Sequence, residues 1–227
     1  MNQKTLFDEW PARYDQWFET STGKVVKEVE AELVREFLNP EPEDRVLDAG
    51  CGTGIFTLDI LAAETQVTGI DISWPMLGYA SSKTVNHPFF GVQGDMLRLP
   101  FRDNCFDKTV SITALEFITD AKSAVDELFR VTRPGGCVVV ATLNSLNHWA
   151  ARRKEISQEG EKKIWGSAFF RSPNELLALG PWKGVTKTII HSQEDDDSEQ
   201  AIEIERLGRS RNLDTGAFVA VRWEKPL

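Results

Sequence analysis

The segment Val46-Leu47-Asp48-Ala49-Gly50-Cys51-Gly52-Thr53-Gly54 constrains this chain more than any other. A short apolar run suited to a buried strand leads into three alternate glycines, and a helical pattern follows over residues 55–63. Glycines in such a turn let the backbone adopt tight dihedrals and let a ligand approach with no Cβ in the way. The N-terminus of the next helix offers N–H groups that no helical carbonyl satisfies. A strand, a glycine turn and a helix in this order form the opening unit of an open α/β sheet, where ligands bind beyond the carboxyl ends of the strands.

The chain then repeats that alternation. Residues 45–49, 66–70, 90–93, 108–113 and 137–143 read as strands, and residues 75–82 and 121–132 as helices between them. Cys137 to Leu143 is continuously apolar, as expected of a strand covered on both faces. Arg133-Pro134-Gly135-Gly136 is a turn signal that ends the preceding helix. Short strands alternating with helices predict a doubly wound, Rossmann-like and mostly parallel α/β sheet with helices on both faces. Ahead of it, Val25, Val26, Val29, Leu33, Val34, Phe37 and Leu38 recur at three- and four-residue steps, an amphipathic helix over residues 22–38 that stops at Asn39-Pro40. After Asn144 the rhythm is lost, and residues 145–172 read as an inserted cap or loop. Ser172-Pro173-Asn174-Glu175 is a capping box that opens a short helix. Strands over 185–190 and 217–223 follow, flanking an acidic run at 194–197 and a helix near 198–209.

Composition narrows the classes of partner. With 227 residues the chain suits one domain and a modest appendage, and 41% hydrophobic with 27% charged residues argues against wholesale disorder. A net charge of −9 disfavours broad nucleic-acid binding, which depends on neutralising phosphates. Arg152-Arg153-Lys154 is the one basic run of note, and it reads as a solvated helix face. Cys51, Cys105 and Cys137 lack metal-ligand spacing, so no metal site is expected and reduced thiols fit best. No apolar stretch reaches the roughly 18 residues that span a bilayer, and Met1-Asn2-Gln3-Lys4 leads into acidic and aromatic residues instead of a signal-peptide core. A cytoplasmic protein without membrane attachment is expected; oligomeric state is not readable.

Three carboxylates mark the ends of successive strands. Asp48 stands two residues before the first glycine, Asp71 lies 21 residues beyond Gly50 at the end of the second strand, and Asp95 follows Gly94 after the third. Each alone reads equally well as a cap for the following helix; three at one sheet edge favour a ligand. A dinucleotide fingerprint requires glycine at the sixth position, which is Ile55 here, so a nicotinamide-dependent oxidoreductase is disfavoured. A pyrophosphate beside Asp48 would also meet like charge, whereas a cationic, nucleoside-like ligand would not.

In order, the segments 46–54, 69–73, 94–101, 106–118 and 133–143 resemble the motifs of class I S-adenosylmethionine (SAM)-dependent methyltransferases, particularly the small-molecule branch with ubiquinone/menaquinone-type enzymes. The resemblance covers roughly residues 40–145 and extends more weakly to the first helix and the last two strands. It implies a seven-stranded sheet with an antiparallel last strand. It also implies a single methyltransferase domain: a helical lid over 1–39, a cofactor-binding core over 40–145, a cap over 146–172, and the rest of the sheet over 173–227. By the same resemblance Asp48, Gly50, Cys51 and Gly52 line the methionine portion of SAM. Asp71 holds the ribose, Ile72, Asp95 and Met96 the adenine, and Leu115 packs near the sulfonium. Tyr14, in Tyr14-Asp15-x-Trp17-Phe18, resembles a lid tyrosine; Trp17 and Phe18 read equally as an aromatic staple for the first helix.

The implied reaction is in-line methyl transfer to a small-molecule acceptor, which depends mainly on alignment and exclusion of water. A general base is needed only when the acceptor must lose a proton, and no catalytic residue is assigned. Glu116, after the fourth strand, and His148, after the fifth, are the two candidates; His87 and His191 fall in loops with nothing to mark them. The family often carries a histidine or aromatic pair after the fourth strand, and Leu115-Glu116-Phe117 departs from that. Trp149, Trp165, Phe169 and Phe170 either line an apolar acceptor pocket or anchor the cap. A non-catalytic SAM-binding module is the alternative that the residues leave open.

Overall fold

The computed structural model describes residues 5–148, 150, 152, 165–192 and 198–227. Expectations for residues 1–4, Trp149, the Arg153-Lys154 pair, the Trp165 side chain and the acidic run at 194–197 lie outside the described residues.

Two helices, α1 (Pro11–Glu19) and α2 (Ser21–Leu38), precede the sheet. Thr20 separates them, its hydroxyl accepting from Gly23 N–H as the N-cap of α2. The far end of α2 closes on Asn39, which takes a left-handed conformation with φ 44°. Val26, Leu33, Val34, Phe37 and Leu38 are buried along one stripe, but Val25 is 61% exposed and lies outside it.

The strands are β1 (Arg45–Ala49), β2 (Gln66–Asp71), β3 (Phe89–Gln93), β4 (Phe106–Ile112), β5 (Thr132–Leu143), β6 (Gly184–Ile189) and β7 (Phe218–Glu224). Between them run α3 (Thr57–Leu61), α4 (Trp74–Lys83), α5 (Ala121–Val131), α6 (Pro173–Leu177) and α7 (Ser198–Ser210). They form one seven-stranded sheet in the order β3-β2-β1-β4-β5-β7-β6. The first five strands are parallel to one another; β7 is antiparallel to both β5 and β6. Strand order reverses between β1 and β4, which opens a crevice at the carboxyl ends of those strands.

Alternation along β1 explains why both faces are covered. Val46 enters the cluster formed with Leu33, Phe37, Ile60 and Val110, while Leu47 enters the opposite one with Val125, Leu128 and Val138. Register then aligns the functional ends: Ala49 pairs with Ile70, and Asp71 with Gln93, so Gly50, Asp71 and Gly94 emerge side by side.

Two local readings change. The helix expected over 55–63 is only α3, because turns occupy the residues on either side and Glu64 reverses the chain at φ 60°. Arg133-Pro134-Gly135-Gly136 does not separate helix from strand. Thr132 already pairs with Phe106, Cys137 pairs with Lys108, and the four residues bulge between them inside β5. Gly135 supplies φ 74°, and a Cβ on Gly136 would come within 2.3 Å of the Asp107 carbonyl oxygen. The capping box at Ser172 and Glu175 forms as expected.

Candidate functional site

The glycine turn is held from below by the neighbouring strand and from the side by a carboxylate. Gly50 and Cys51 N–H groups both donate to the Ile70 carbonyl, at 2.7 and 3.1 Å. Gly50, Gly52 and Gly54 have φ of 77°, 52° and 75°, a region that disfavours side chains. A Cβ on Gly50 would lie 2.4 Å from Ala114 Cβ, whereas one on Gly52 would meet nothing within 4 Å. Gly50 is therefore required by packing and dihedral together. Gly52 leaves open space for a ligand.

Above this turn lies a cavity of about 1160 Å³, large enough for a nucleoside-sized cofactor together with a second small molecule. Asp48, Gly50, Cys51, Gly52, Asp71, Ile72, Asp95, Met96 and Tyr14 all line it. Asp48 is only 2% exposed, and its Oδ2 accepts from the Thr57 hydroxyl at 2.6 Å. Burial pushes its carboxyl up to about 6, against the help of Thr57 and reinforced by the Asp71 charge. Asp71 accepts from Gly52 N–H at 2.9 Å and from Ser73 N–H at 2.8 Å, so it folds the glycine turn onto β2. Burial raises its pKa as well, with these two N–H groups opposing the shift. The Cys51 thiol is pushed up by burial and by both carboxylates, which keeps it protonated.

The lining at the ends of β2 and β3 is more open. Ile72 is 47% exposed and Met96 is buried. Asp95 is exposed, and its Oδ1 accepts from Leu97 N–H at 2.9 Å. It therefore serves as a local turn cap and also borders the cavity.

The N-terminal segment roofs the cavity. The Tyr14 hydroxyl lies 3.2 Å from Thr113 Oγ1, and its ring meets Phe18 edge-on at 5.2 Å. Burial holds the Tyr14 phenol well above its ordinary pKa, with Thr113 opposing and Glu30 and Glu116 adding to the rise. Phe7 stacks edge-on against Phe117 at 4.9 Å, joining the roof to the turn after β4. Phe18 is buried against Phe56, while Trp17 is partly exposed; both border the cavity.

Beyond β4 the structure corrects the sequence reading of Leu115. Thr113 takes φ 47°, which breaks strand alternation and turns Leu115 fully into the core beside Leu128 and Val138. Thr113 and Ala114 line the cavity in its place. Glu116 also lines it, completely buried, with Oε2 accepting from the Thr142 hydroxyl at 2.8 Å. Its backbone carbonyl accepts from Phe169 N–H at 2.7 Å, and Arg171 Nη1 and Nη2 donate to the Leu115 and Ile118 carbonyls at 3.1 and 3.2 Å. Phe169 and Arg171 thus brace this turn from behind. His148 is exposed and is not among the cavity-lining residues. Phe169 is exposed and Phe170 buried in the core, and neither faces the cavity.

Sequence reasoning missed Glu30, a carboxylate on the buried side of α2 that reaches the cavity wall, and it missed Thr113 and Phe7. A charge inside the apolar stripe of α2 was the available signal for Glu30. The lining holds five acidic side chains (Glu30, Asp48, Asp71, Asp95 and Glu116) against Arg13 and Arg152, both exposed. A cationic ligand fits this charge balance, and among the described residues the lining offers no buried cation for a pyrophosphate.

Comparison with known proteins agrees with this geometry. A methyltransferase-domain family model matches residues 47–140, which run from within β1 to near the end of β5. The demethylmenaquinone methyltransferase of Mycolicibacterium vanbaalenii is 34% identical over 197 residues, covering 82% of this chain and 78% of that protein. The malonyl-[acyl-carrier protein] O-methyltransferase of Pectobacterium atrosepticum is 40% identical over 99 residues, but the alignment covers 44% of this chain and only 38% of that relative. Among solved structures, a SAM-dependent methyltransferase from Thermotoga maritima, described as a possible histamine N-methyltransferase, superposes with a TM-score of 0.73 over 96% of this chain and 97% of that one. At 23% identity that likeness concerns the fold alone. The ordered motifs, the sheet and the long alignment converge: the chain belongs to the class I SAM-dependent methyltransferase family.

Proposed function

We propose that this chain transfers the methyl group of SAM to a small-molecule acceptor held in the same cavity. The observation that carries this reading is a cleft floored by Asp48, Gly50, Gly52 and Asp71, and roofed by the segment that bears Tyr14. In this reading Asp48, Gly50, Cys51 and Gly52 border the methionine portion. Asp71 takes the ribose hydroxyls: each of its oxygens accepts one backbone N–H, and a carboxylate has about four acceptor positions. Ile72 and Met96 flank the adenine, Asp95 accepts from its amino group, and Thr113 with Ala114 replaces Leu115 beside the sulfonium. Residues 1–39 act as lid, 40–145 as cofactor core, 146–172 as cap, and 173–227 complete the sheet.

SAM supplies an electrophilic methyl on a good leaving group, so the chain's own work is alignment and exclusion of water. Phe7, Tyr14 and Phe18 provide the exclusion. Glu116 is the candidate for accepting an acceptor proton, since it lines the cavity and His148 does not. Free thiols at Cys51, Cys105 and Cys137 support a reducing, cytoplasmic setting. Among the described residues no helix is long and apolar enough to cross a membrane.

Thermal unfolding with S-adenosylhomocysteine tests the cofactor assignment. At 100 times its Kd the ligand should add about 2.7 kcal/mol, and Asp71→Ala should abolish most of the shift. A shift with NAD and none with S-adenosylhomocysteine would sink the reading. Consumption of SAM with a metabolite extract separates an enzyme from a module that only binds.

A further inference from the structure

Among the described residues, Asp8, Tyr14 and Asp15 tie the roof to the carboxyl edge of the sheet, and each reaches a side chain beside a residue that shapes the floor. Asp8 Oδ1 accepts from the Ser73 hydroxyl at 2.8 Å, and Ser73 N–H in turn donates to Asp71. Tyr14 meets Thr113 at the end of β4. Asp15 makes the third tie and the most direct one. Its Oδ1 accepts from the Thr53 hydroxyl at 2.6 Å, and its Oδ2 lies 2.6 Å from Lys83 Nζ on α4.

Thr53 is fully buried between Gly52 and Gly54, both of positive φ. Its side chain is the handle by which anything outside the turn can grip that stretch. On one side Gly52 N–H is held by Asp71 Oδ2 at 2.9 Å; on the other, Asp15 holds Thr53. Neither Asp15 nor Thr53 lines the cavity, so Asp15 acts through the turn and not on a ligand. Lys83 lies at the last turn of α4 and orients the Asp15 carboxylate toward the turn. That ion pair is partly exposed, so the contact to Thr53 dominates.

We propose that Asp15 is a positioning residue for the cofactor: through Thr53 it locks α1 onto the glycine turn, so that docking of the roof and binding of the cofactor are one linked equilibrium. The inference rests on reading the cavity as a SAM site. Linkage is reciprocal, so a ligand that needs the ordered turn must stabilise the docked roof, and a loosened roof must weaken the ligand by the same factor.

Calorimetric titration of S-adenosylhomocysteine into the full chain, Asp15→Asn, Thr53→Val, the double variant and Thr53→Ser tests this. Hydrogen exchange of residues 11–19 is followed with and without ligand. Loss of a hydrogen bond to a charged group should weaken binding about tenfold in each of Asp15→Asn and Thr53→Val. The double variant should bind no more weakly than either single one, because both remove one contact. Thr53→Ser, which keeps the hydroxyl, should stay within about twofold of the wild type. Ligand should slow exchange across α1 in the wild type and not in Asp15→Asn. Equal affinity of Asp15→Asn and wild type, additive losses, or ligand-independent exchange of α1 would each overturn the proposal. A variant that is merely less stable lowers the melting temperature but leaves the affinity of its folded form unchanged, and that result also counts against it. Absence of binding by the wild type is a separate outcome, which removes the cofactor reading itself.

Discussion

The floor of the cavity and its roof are held by different forces. The floor is covalently short and backbone-bonded: Gly50 and Cys51 hang from the Ile70 carbonyl, Gly52 from Asp71, and the turn sits on strands that are buried on both faces. The roof depends on side chains that reach across long stretches of sequence, such as Tyr14 to Thr113 and Asp15 to Thr53, and on edge-on aromatic contacts. Backbone ladders buried in a sheet open only with the whole domain, whereas side-chain ties on one helix open locally. A binding site built this way keeps a fixed shape beneath the ligand and lets the ligand enter from above.

The contrast can be broken most severely at Gly50. Gly50→Ala forces a Cβ into Ala114 at a left-handed position and should cost about 3 kcal/mol or more. Thermal unfolding should show a drop of about 10 °C; a drop of only a degree or two would mean that the floor is softer than described here.

Asp48 sharpens the comparison in the other direction, because the floor bears a cost that the roof does not. Its pKa rises from 3.8 to about 6 on folding. Below pH 3.8 the carboxyl is protonated in both states and imposes no penalty. Between pH 3.8 and about 6 the unfolded chain ionises while the native carboxyl stays protonated, so the native state loses stability progressively, and above about 6 the full penalty is about 3 kcal/mol. Asp48→Asn, whose amide oxygen still accepts from Thr57, should therefore be more stable than wild type near pH 8 by up to that amount. The gain should vanish near pH 4, and affinity for S-adenosylhomocysteine should fall. A stability difference independent of pH would remove the burial argument.

The smallest effect is expected at the roof. Tyr14→Phe keeps the edge-on contact with Phe18 and loses one hydrogen bond, worth about 1 kcal/mol. Global unfolding should change little while proteolysis near α1 accelerates. A loss as large as that at Gly50 would erase the distinction between the two regions.

Much of the floor was legible because its determinants are local. Alternation of apolar runs and helical spacing located all seven strands, and the spacing of Gly50, Gly52 and Gly54 after Asp48 defined the turn. Where counting failed, a neighbour intervened. Leu115 was placed near the sulfonium by resemblance, but beyond the left-handed Thr113 it is buried in the core. The Arg133-Pro134-Gly135-Gly136 turn chemistry was read correctly as a break, yet pairing of Thr132 with Phe106 makes it a bulge within a strand. His148 follows a strand end as expected and still is exposed and not among the cavity-lining residues, since adjacency in sequence does not set direction.

By itself the sequence determined the doubly wound sheet, the glycine turn, and three carboxylates at successive strand ends, because period, turn chemistry and charge are properties of neighbouring residues. Only the tertiary structure decided that Glu30 and Glu116 share a wall, that Asp71 braces the turn it serves, and that Asp15 clasps Thr53 across 38 positions of chain. Contacts of that span follow from how helices settle on a finished sheet, which no local pattern encodes.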